Sequence, residues 1–193
     1  MKHAKTMKKL LTFAAVFAFG LTAFAQEDST ESAAGGIPPM GATAEVTAMS
    51  HLVGTWNAEF SMRMGPEAEW MVSPSTEVFE SILDGCALRA HFSSTMMGMG
   101  FKGEATMTYD RISKKWQLVW TDNMGANQTM LVGEFVDGVM TLSGEGVEQG
   151  KPYLMRDITK HTSDTEFDWH MEVSYDNGEN WYTNMKAIYK KAE

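Results

Sequence analysis

Cysteine and basic residues are both scarce in this sequence. There is one cysteine, Cys86, and there are 16 lysines and arginines against 25 aspartates and glutamates. A single cysteine cannot form an internal disulfide, so packing must stabilise the fold, and we expect Cys86 to be a small buried side chain. The formal net charge of -9 argues against nucleic acid or an anionic lipid surface as a partner, because both require a basic face.

Catalytic motifs are missing as well. The chain has no His-Glu-x-x-His zinc spacing, no Gly-x-Ser-x-Gly nucleophile turn, no phosphate-binding loop and no cysteine–histidine pair in a supporting context. Hydrolytic and transfer chemistry therefore has no motif behind it. We assign no catalytic residue, no metal ligand and no cofactor, and the sequence leaves open whether the protein is an enzyme.

The first 25 residues have the layout of a secretory leader. Four lysines precede an apolar run from Leu10 to Leu21, and Ala23-Phe24-Ala25 matches a cleavage site before Gln26. The run is shorter than the roughly 20 apolar residues that a membrane span needs. Residues 1–25 are thus predicted to be a cleaved signal peptide, with no membrane span left afterwards and a periplasmic or extracellular location. Cleavage would change the net charge to -13, because the leader has four lysines and no acidic residue.

Two further regions follow the leader. Residues 26–43 are rich in Glu, Ser, Thr, Ala, Gly and Pro, which predicts a flexible linker. Residues 44–193 contain enough apolar side chains for one folded domain. At its start, residues 44–52 are predicted to form one or two helical turns that cover one end of the domain.

From Gly54 onward the hydrophobic period is two. Apolar side chains alternate with polar ones in about ten short segments, separated by turn signals such as Asp84-Gly85 and Asp137-Gly138. Pro74 interrupts the second segment, residues 70–83, and predicts an edge, a bend or a bulge there. This pattern fits a sandwich or a barrel. Consecutive hairpins and the Gly-x-Trp before the first strand favour an all-β, antiparallel up-and-down barrel of about ten strands.

Several short motifs carry a family resemblance. They occur in this order: Gly54-Thr55-Trp56, Ile82-Leu83-Asp84-Gly85, Thr108-Tyr109-Asp110, Trp120-Thr121-Asp122-Asn123-Met124-Gly125 and Ile188-Tyr189-Lys190-Lys191. Together they resemble the bacterial family catalogued as domain of unknown function 1579. The resemblance implies a calycin or lipocalin-like barrel and supplies no reaction or catalytic residue.

A more distant likeness is to the nitrobindin type of haem-binding barrel, which also begins with Gly-Thr-Trp. Such barrels hold iron through a histidine on the last strand. The comparable run here is Asn184-Met185-Lys186-Ala187, and asparagine is not a useful axial ligand. Haem is therefore not predicted, and Met185 is interpreted as a core residue.

The fold suggests binding of a small apolar or amphipathic ligand inside the barrel. The predicted pocket residues lie on the apolar faces of the strands: Phe60, Met62, Phe92, Met107, Trp116, Trp120, Trp169 and Met185. The alternative is that these side chains simply fill the core. Two other functions remain open, an enzyme acting on a small periplasmic or extracellular substrate and a structural or interaction module of the cell envelope. No feature sets the oligomeric state.

The polar faces offer four candidates for orienting a ligand or acting on a substrate. They are Arg89, His91, His170 and Glu172. If these faces point outward, the same residues are ordinary surface groups.

Three smaller patterns each allow a structural and a functional interpretation. Met96, Met97 and Met99, with His91 and Cys86 upstream, have the soft ligand types of a Cu(I) site, although methionine is abundant throughout the chain. The run from Ser174 to Trp181 matches an Asp-box, which we interpret as a turn rather than a carbohydrate site. Trp56 is predicted to lie under a cation from the last strand, Lys186 or Lys190.

Overall fold

The computed structural model describes residues 40–193. The predicted signal peptide and the predicted linker up to residue 39 lie outside the described residues. Within this range, one short α-helix, α1 (Ala44–Ala48), and two 3₁₀ helices, Ser50–Leu52 and Leu83–Gly85, accompany ten strands. The strands are β1 (Gly54–Met62), β2 (Met71–Ile82), β3 (Ala87–Met96), β4 (Met99–Asp110), β5 (Lys115–Asp122), β6 (Gln128–Val136), β7 (Val139–Glu148), β8 (Lys151–Ser163), β9 (Glu166–Ser174) and β10 (Tyr182–Lys191).

The ten strands form one closed barrel. Each strand pairs antiparallel with its neighbours in sequence, and β1 also pairs with β10, where Trp56 lies opposite Lys191 and Met62 opposite Met185. The predicted up-and-down barrel of about ten strands is confirmed. Closure leaves no sheet edge exposed, and it gives every strand an inner and an outer face. Within residues 40–193, no helix has the length and hydropathy needed to cross a membrane.

Pro74 lies inside β2 without interrupting it. Its partner on β1 is Glu59, while pairing of β2 with β3 begins only at Ser75, opposite Ser94. One side of the chain at residue 74 therefore has no ladder partner on β3, which is the environment that a residue without an N–H requires.

The hairpin signals mark real turns. Asp137 and Gly138 both have positive φ angles, 51° and 81°, as a two-residue type I′ turn requires between β6 and β7. The Asp84-Gly85 signal lies in the 3₁₀ helix between β2 and β3 instead, where Leu83 also has a positive φ of 55°.

The segment α1 and the 3₁₀ helix after it cover one end of the barrel, which we call the floor. Trp56 is 0% exposed there, and its indole N–H donates to the carbonyl oxygen of Leu52 at 2.7 Å. Gly54, with a φ of 127°, lets the backbone turn between this cover and β1. The apolar residues Val46, Met49 and Leu52 are buried in the same core cluster as Trp56.

The cation over Trp56 is not one of the two predicted. The Nζ atom of Lys191 lies 5.5 Å from the indole centroid and donates to the carbonyl oxygen of His51 at 2.6 Å. Lys186 instead lies over Trp70, and Lys190 pairs with Glu166 on the outer face. The prediction was wrong because side chains alternate along β10, so Lys186 and Lys190 share the outer face whereas Lys191 lies at the end of the strand.

Replacing Trp56 tests how far the barrel depends on its floor. Trp56→Phe removes the indole N–H from the Leu52 carbonyl and shrinks a fully buried ring, so we expect the free energy of unfolding to fall by about 2 kcal/mol. Urea titration followed by circular dichroism measures the change. Trp70→Phe, at a partly exposed position, is the control and should cost less than about 1 kcal/mol. Equal losses for the two variants would contradict this role for Trp56.

Candidate ligand-binding cavity

The barrel encloses a cavity of about 570 Å³. Met49 and Leu52 close it at the floor. At the other end, which we call the mouth, the cavity reaches Met64, Met124 and Val147, all of which are exposed to solvent. The interior is therefore an open pocket rather than a fully packed core.

Most of the predicted pocket residues line this cavity. Rings of Phe60 and Phe92 lie 5.4 Å apart between centroids, and the ring of Trp169 stacks on Phe60 at 6.0 Å. The members of the predicted set in the wall are Phe60, Met62, Phe92, Met107, Trp120, Trp169 and Met185. Their contribution to ligand binding remains a prediction.

Trp116 lies elsewhere. It is buried near the floor and lines a separate depression of about 350 Å³ beside α1, together with Glu45 and Ala48. Its ring packs on Tyr109 at 5.5 Å. Trp116 and Trp120 share a face of β5, but β5 begins at the floor, so Trp116 is too deep to reach the cavity.

The four polar candidates do not line the cavity. His91 lies between Glu80 (3.5 Å) and Glu104 (3.3 Å) on neighbouring strands, and Glu172 forms an ion pair with Nη2 of the Arg156 guanidinium at 2.7 Å. Arg89 and His170 belong to the same outer faces as His91 and Glu172, two residues away along β3 and β9.

Two carboxylates that sequence reasoning missed point into the cavity. Glu77 lies on β2, and Asp157 lies on β8, where it accepts a hydrogen bond from Trp169 Nε1 at 2.8 Å. Burial raises the pKa of Glu77 to about 7, an effect partly offset by a hydrogen bond with Tyr189 and reinforced by the charge of Asp157. Burial likewise raises the pKa of Asp157 to about 6, against hydrogen bonds from Trp169 and Thr159.

Neither carboxylate has a cationic partner in the described part of the chain. The ion pairs among residues 40–193 all lie elsewhere. The cavity wall includes Arg63, but its Nε donates to the Thr183 carbonyl at 2.7 Å and its guanidinium lies 4.7 Å from the Trp70 ring centroid. Arg63 is thereby held at the mouth, where β1 ends.

A histidine pair joins the floor to the barrel wall. His51 Nδ1 lies 3.0 Å from the Ala48 carbonyl oxygen, and His51 Nε2 lies 3.1 Å from His161 Nδ1. A carbonyl only accepts, so we assign the proton to His51 Nδ1, which leaves Nε2 to accept from His161. Burial, with a smaller contribution from His51, lowers the pKa of His161 to about 4, so this cavity-lining ring is neutral near pH 7.

Asn184 enters the wall through a β-bulge. The register between β9 and β10 shifts between Thr183 and Met185, so the consecutive residues Asn184 and Met185 both line the cavity. The Oδ1 atom of Asn184 is buried and has no hydrogen-bond partner in the described part of the chain. This is the position where the nitrobindin comparison places a histidine.

The Asp-box forms a turn beside the mouth. Asp176 Oδ1 accepts from the Ser174 hydroxyl (2.8 Å) and from the Asn180 backbone N–H (2.9 Å), and Trp181 Nε1 donates to the Gly178 carbonyl at 3.0 Å. The hydrogen bonds to the Asp176 carboxylate, of which the one from the Asn180 N–H has the largest effect, lower its pKa to about 2. The hydrogen bonds are internal to the turn, as the structural interpretation of the motif expects.

The methionine cluster is not gathered into one site. Met96 is 5% exposed and faces the cavity, whereas Met97 and Met99 are 60% and 59% exposed at the hairpin tip. Cys86 precedes β3 at the floor, the opposite end of the strand from Met96. Within residues 40–193, no group of three or more His, Cys, Asp or Glu side chains is arranged to hold a metal ion.

The sequence contains a weak signal for the two acidic residues of the cavity. Glu77 has the same parity as Ser75 and Phe79 on β2, and Asp157 has the same parity as Tyr153, Met155 and Thr159 on β8. The signal is an acidic residue at one of the alternate strand positions that apolar side chains otherwise occupy. It is weak because the inner face of a strand cannot be assigned without knowing its neighbours.

The family assignment follows from a match across almost the whole described domain. The family described as "Protein of unknown function (DUF1579)" matches residues 42–191. The chain belongs to this family. No curated protein matches the sequence.

Solved structures share the barrel of this DUF1579 protein at low sequence identity. The crystal structure of Rv2717c from M. tuberculosis has a TM-score of 0.56 at 12% identity, over 79% of this chain and 99% of that one. The S-type phycobiliprotein lyase CPES from Guillardia theta has a TM-score of 0.55 at 10% identity, over 78% of this chain and 94% of that one. These likenesses show a calycin-like fold.

The partly buried Glu77 leads to a specific prediction about stability and pH. Its folded-state pKa lies above its unfolded value, so its contribution to stability is present at low pH and is lost as the pH rises through about 7. Glu77→Gln cannot ionise. We therefore expect the variant to match the wild type near pH 5 and to be more stable by up to about 3 kcal/mol near pH 8.

Thermal unfolding at the two pH values measures this difference. Glu59→Gln makes the same change on the exposed outer face of β1 and should shift stability by less than about 0.5 kcal/mol at either pH. A Glu77→Gln variant that is less stable than the wild type at pH 8 would show that Glu77 is not a desolvated acid.

Proposed function

We propose that this protein is a binding barrel for a small amphipathic molecule, which enters at the mouth and lies in the cavity. The observation that carries the proposal is the cavity itself, about 570 Å³ in volume and open at one end. Ligand pockets of proteins commonly measure about 300–1,000 Å³.

The lining supports a ligand with a largely apolar body. Aromatic rings form one side, with Phe92 in contact with both Phe101 (5.9 Å) and Trp120 (6.2 Å) between centroids. Methionines such as Met62 and Met107 supply adaptable apolar surface around them. A few polar groups among apolar walls are the usual composition of a site that fixes a ligand's orientation.

The methionine-rich mouth supports access from solvent. Met64 and Met124 line the cavity and remain exposed, so an apolar ligand meets apolar surface before it enters. The opposite end is sealed by the cover of α1 and by the Trp56–Leu52 hydrogen bond. For residues 40–193, this asymmetry favours entry at the mouth.

The barrel is further proposed to act outside the cytoplasm. The support is the leader pattern of residues 1–25, with its basic start, apolar run and small-residue cleavage site. A binding protein in that location would meet small molecules of the periplasm or the surrounding medium.

Cleavage at the proposed site has a direct readout. The mature protein, recovered from periplasm or medium after expression in a bacterium, should begin at Gln26 because cleavage follows Ala25. Intact-mass spectrometry and N-terminal sequencing measure this. A chain that stays in the cytoplasm and retains the leader would contradict the proposed location.

Filling the cavity tests the proposed function. Ala105 lines the wall, and Ala105→Leu places three further carbons in it, so we expect the neutral dye N-phenyl-1-naphthylamine to bind at least about tenfold more weakly. Thr106→Leu places the same new side chain on the exposed outer face of β4 and should leave the affinity unchanged. Fluorescence titration measures both. A wild-type protein that does not bind the dye, or equal effects of the two variants, would count against the cavity as the binding site.

A further inference from the structure

We propose that the ligand of this cavity carries a positively charged amine, and that the carboxylates of Glu77 and Asp157 bind it. The inference rests on the proposed function and narrows its ligand to one chemical class, an amine attached to an apolar body. It follows from the placement of charges and hydrogen-bonding groups around the cavity.

The two carboxylates lie on different strands but share a neighbour. Tyr189, on β10, lies between β2 and β8 in the order of strands around the barrel and lines the same cavity. Burial raises the pKa of the Tyr189 hydroxyl, and the negative charges of Glu77 and Asp157 raise it further. Glu77 and Asp157 thus face one common region of the cavity, and a small cation there interacts with both.

The remaining ionisable groups of the wall make the interior acidic. Asp122 and Glu148 lie toward the mouth, where Asp122 accepts from Trp120 Nε1 at 2.9 Å and Glu148 accepts from the Tyr175 hydroxyl. His161 is neutral near pH 7. Among the cavity residues, Arg63 alone carries a positive charge, and its contacts hold it at the mouth.

The apolar walls of the cavity destabilise the ionised forms of two carboxylates that have no partner of opposite charge. A charged group moved into apolar surroundings is stabilised only by a partner of opposite charge or by hydrogen bonds. The hydrogen-bond donors to Asp157 are Trp169 and Thr159 and the donor to Glu77 is Tyr189, and all three are neutral. An ammonium group supplies three donors and the missing positive charge.

Asn184 provides independent evidence that the cavity accommodates a hydrogen-bond donor from a ligand. Its buried Oδ1 has no partner in the described part of the chain, and the residue lies in the same wall, nearer the mouth. Aromatic rings complete the site, since Trp169 and Phe60 both line the cavity and aromatic side chains attract cations. An anionic ligand such as a fatty acid would instead meet like charge at Glu77 and Asp157.

Three probes with the same tail and different head groups test the inference. Decylamine, decanol and decanoate compete with N-phenyl-1-naphthylamine for the wild-type protein at pH 8. We expect decylamine to bind at least about tenfold more tightly than decanol, because a charge-assisted hydrogen bond is stronger than a neutral one, and decanoate to bind most weakly. A preference for decanol or decanoate overturns the inference.

The carboxylates are then tested individually. Glu77→Gln and Asp157→Asn keep the shape of the side chain and remove its charge, so each should reduce the preference for decylamine over decanol several-fold while decanol affinity stays constant. Glu59→Gln removes one charge from the outer face and should keep the full preference. If the variant that combines Glu77→Gln with Asp157→Asn still prefers decylamine over decanol, the assignment of these two residues is overturned.

The preference of the wild-type protein for decylamine over decanol can also be measured as a function of pH. Glu77 and Asp157 have raised pKa values, whereas Tyr189 stays protonated and His161 stays neutral, so the two carboxylates are the cavity groups that ionise between pH 5 and pH 8. The preference for decylamine should therefore grow across this range. A preference that does not change with pH overturns the inference.

The outcomes separate this inference from the proposed function. If neither the dye nor any of the three probes binds, both fail. If the dye and decanol bind and Ala105→Leu weakens them, but decylamine has no advantage, the cavity remains a binding site and the amine is excluded.

Discussion

Pairing of β1 with β10 is the constraint on which the rest of the structure depends. With Trp56 opposite Lys191 and Met62 opposite Met185, the first and last strands complete the ladder and define one interior. The same strand pair positions the floor, since Trp56 Nε1 donates a hydrogen bond to the Leu52 carbonyl and Lys191 Nζ donates one to the His51 carbonyl. Closure, cover and cavity are thus consequences of one pairing, because a sheet left open there would have no enclosed face.

The cavity combines two features that usually oppose each other. Apolar and aromatic walls favour binding of a nonpolar body, yet they surround Glu77 and Asp157, whose ionised forms they destabilise. Acids in apolar surroundings without a cationic partner reduce stability near neutral pH. Such a cost is common at functional sites, where a side chain is arranged for a ligand rather than for the fold.

Some of this architecture was predictable from local patterns. Period-two alternation and turn residues such as Asp137-Gly138 predicted the barrel, because both act over a few residues. Most of the apolar wall was predictable for the same reason. Trp116 is the exception in the predicted apolar set, because it lies on the expected face of β5 but too near the floor to reach the cavity. His91 faces outward beside Glu80 and Glu104, which is the surface alternative that the sequence had left open for the polar candidates.

The sequence by itself determined the strands, their turns, the acidic balance and the membership of the DUF1579 family. Only the tertiary structure decided which polar groups face inward. Glu77 and Asp157 are 80 residues apart and line one cavity because the barrel closes, and Asn184 reaches the wall because a bulge shifts the register of β10. The first effect depends on the pairing of β1 with β10, and the second on an irregularity within the β9–β10 pair. The alternation of side chains along a single strand shows neither of them.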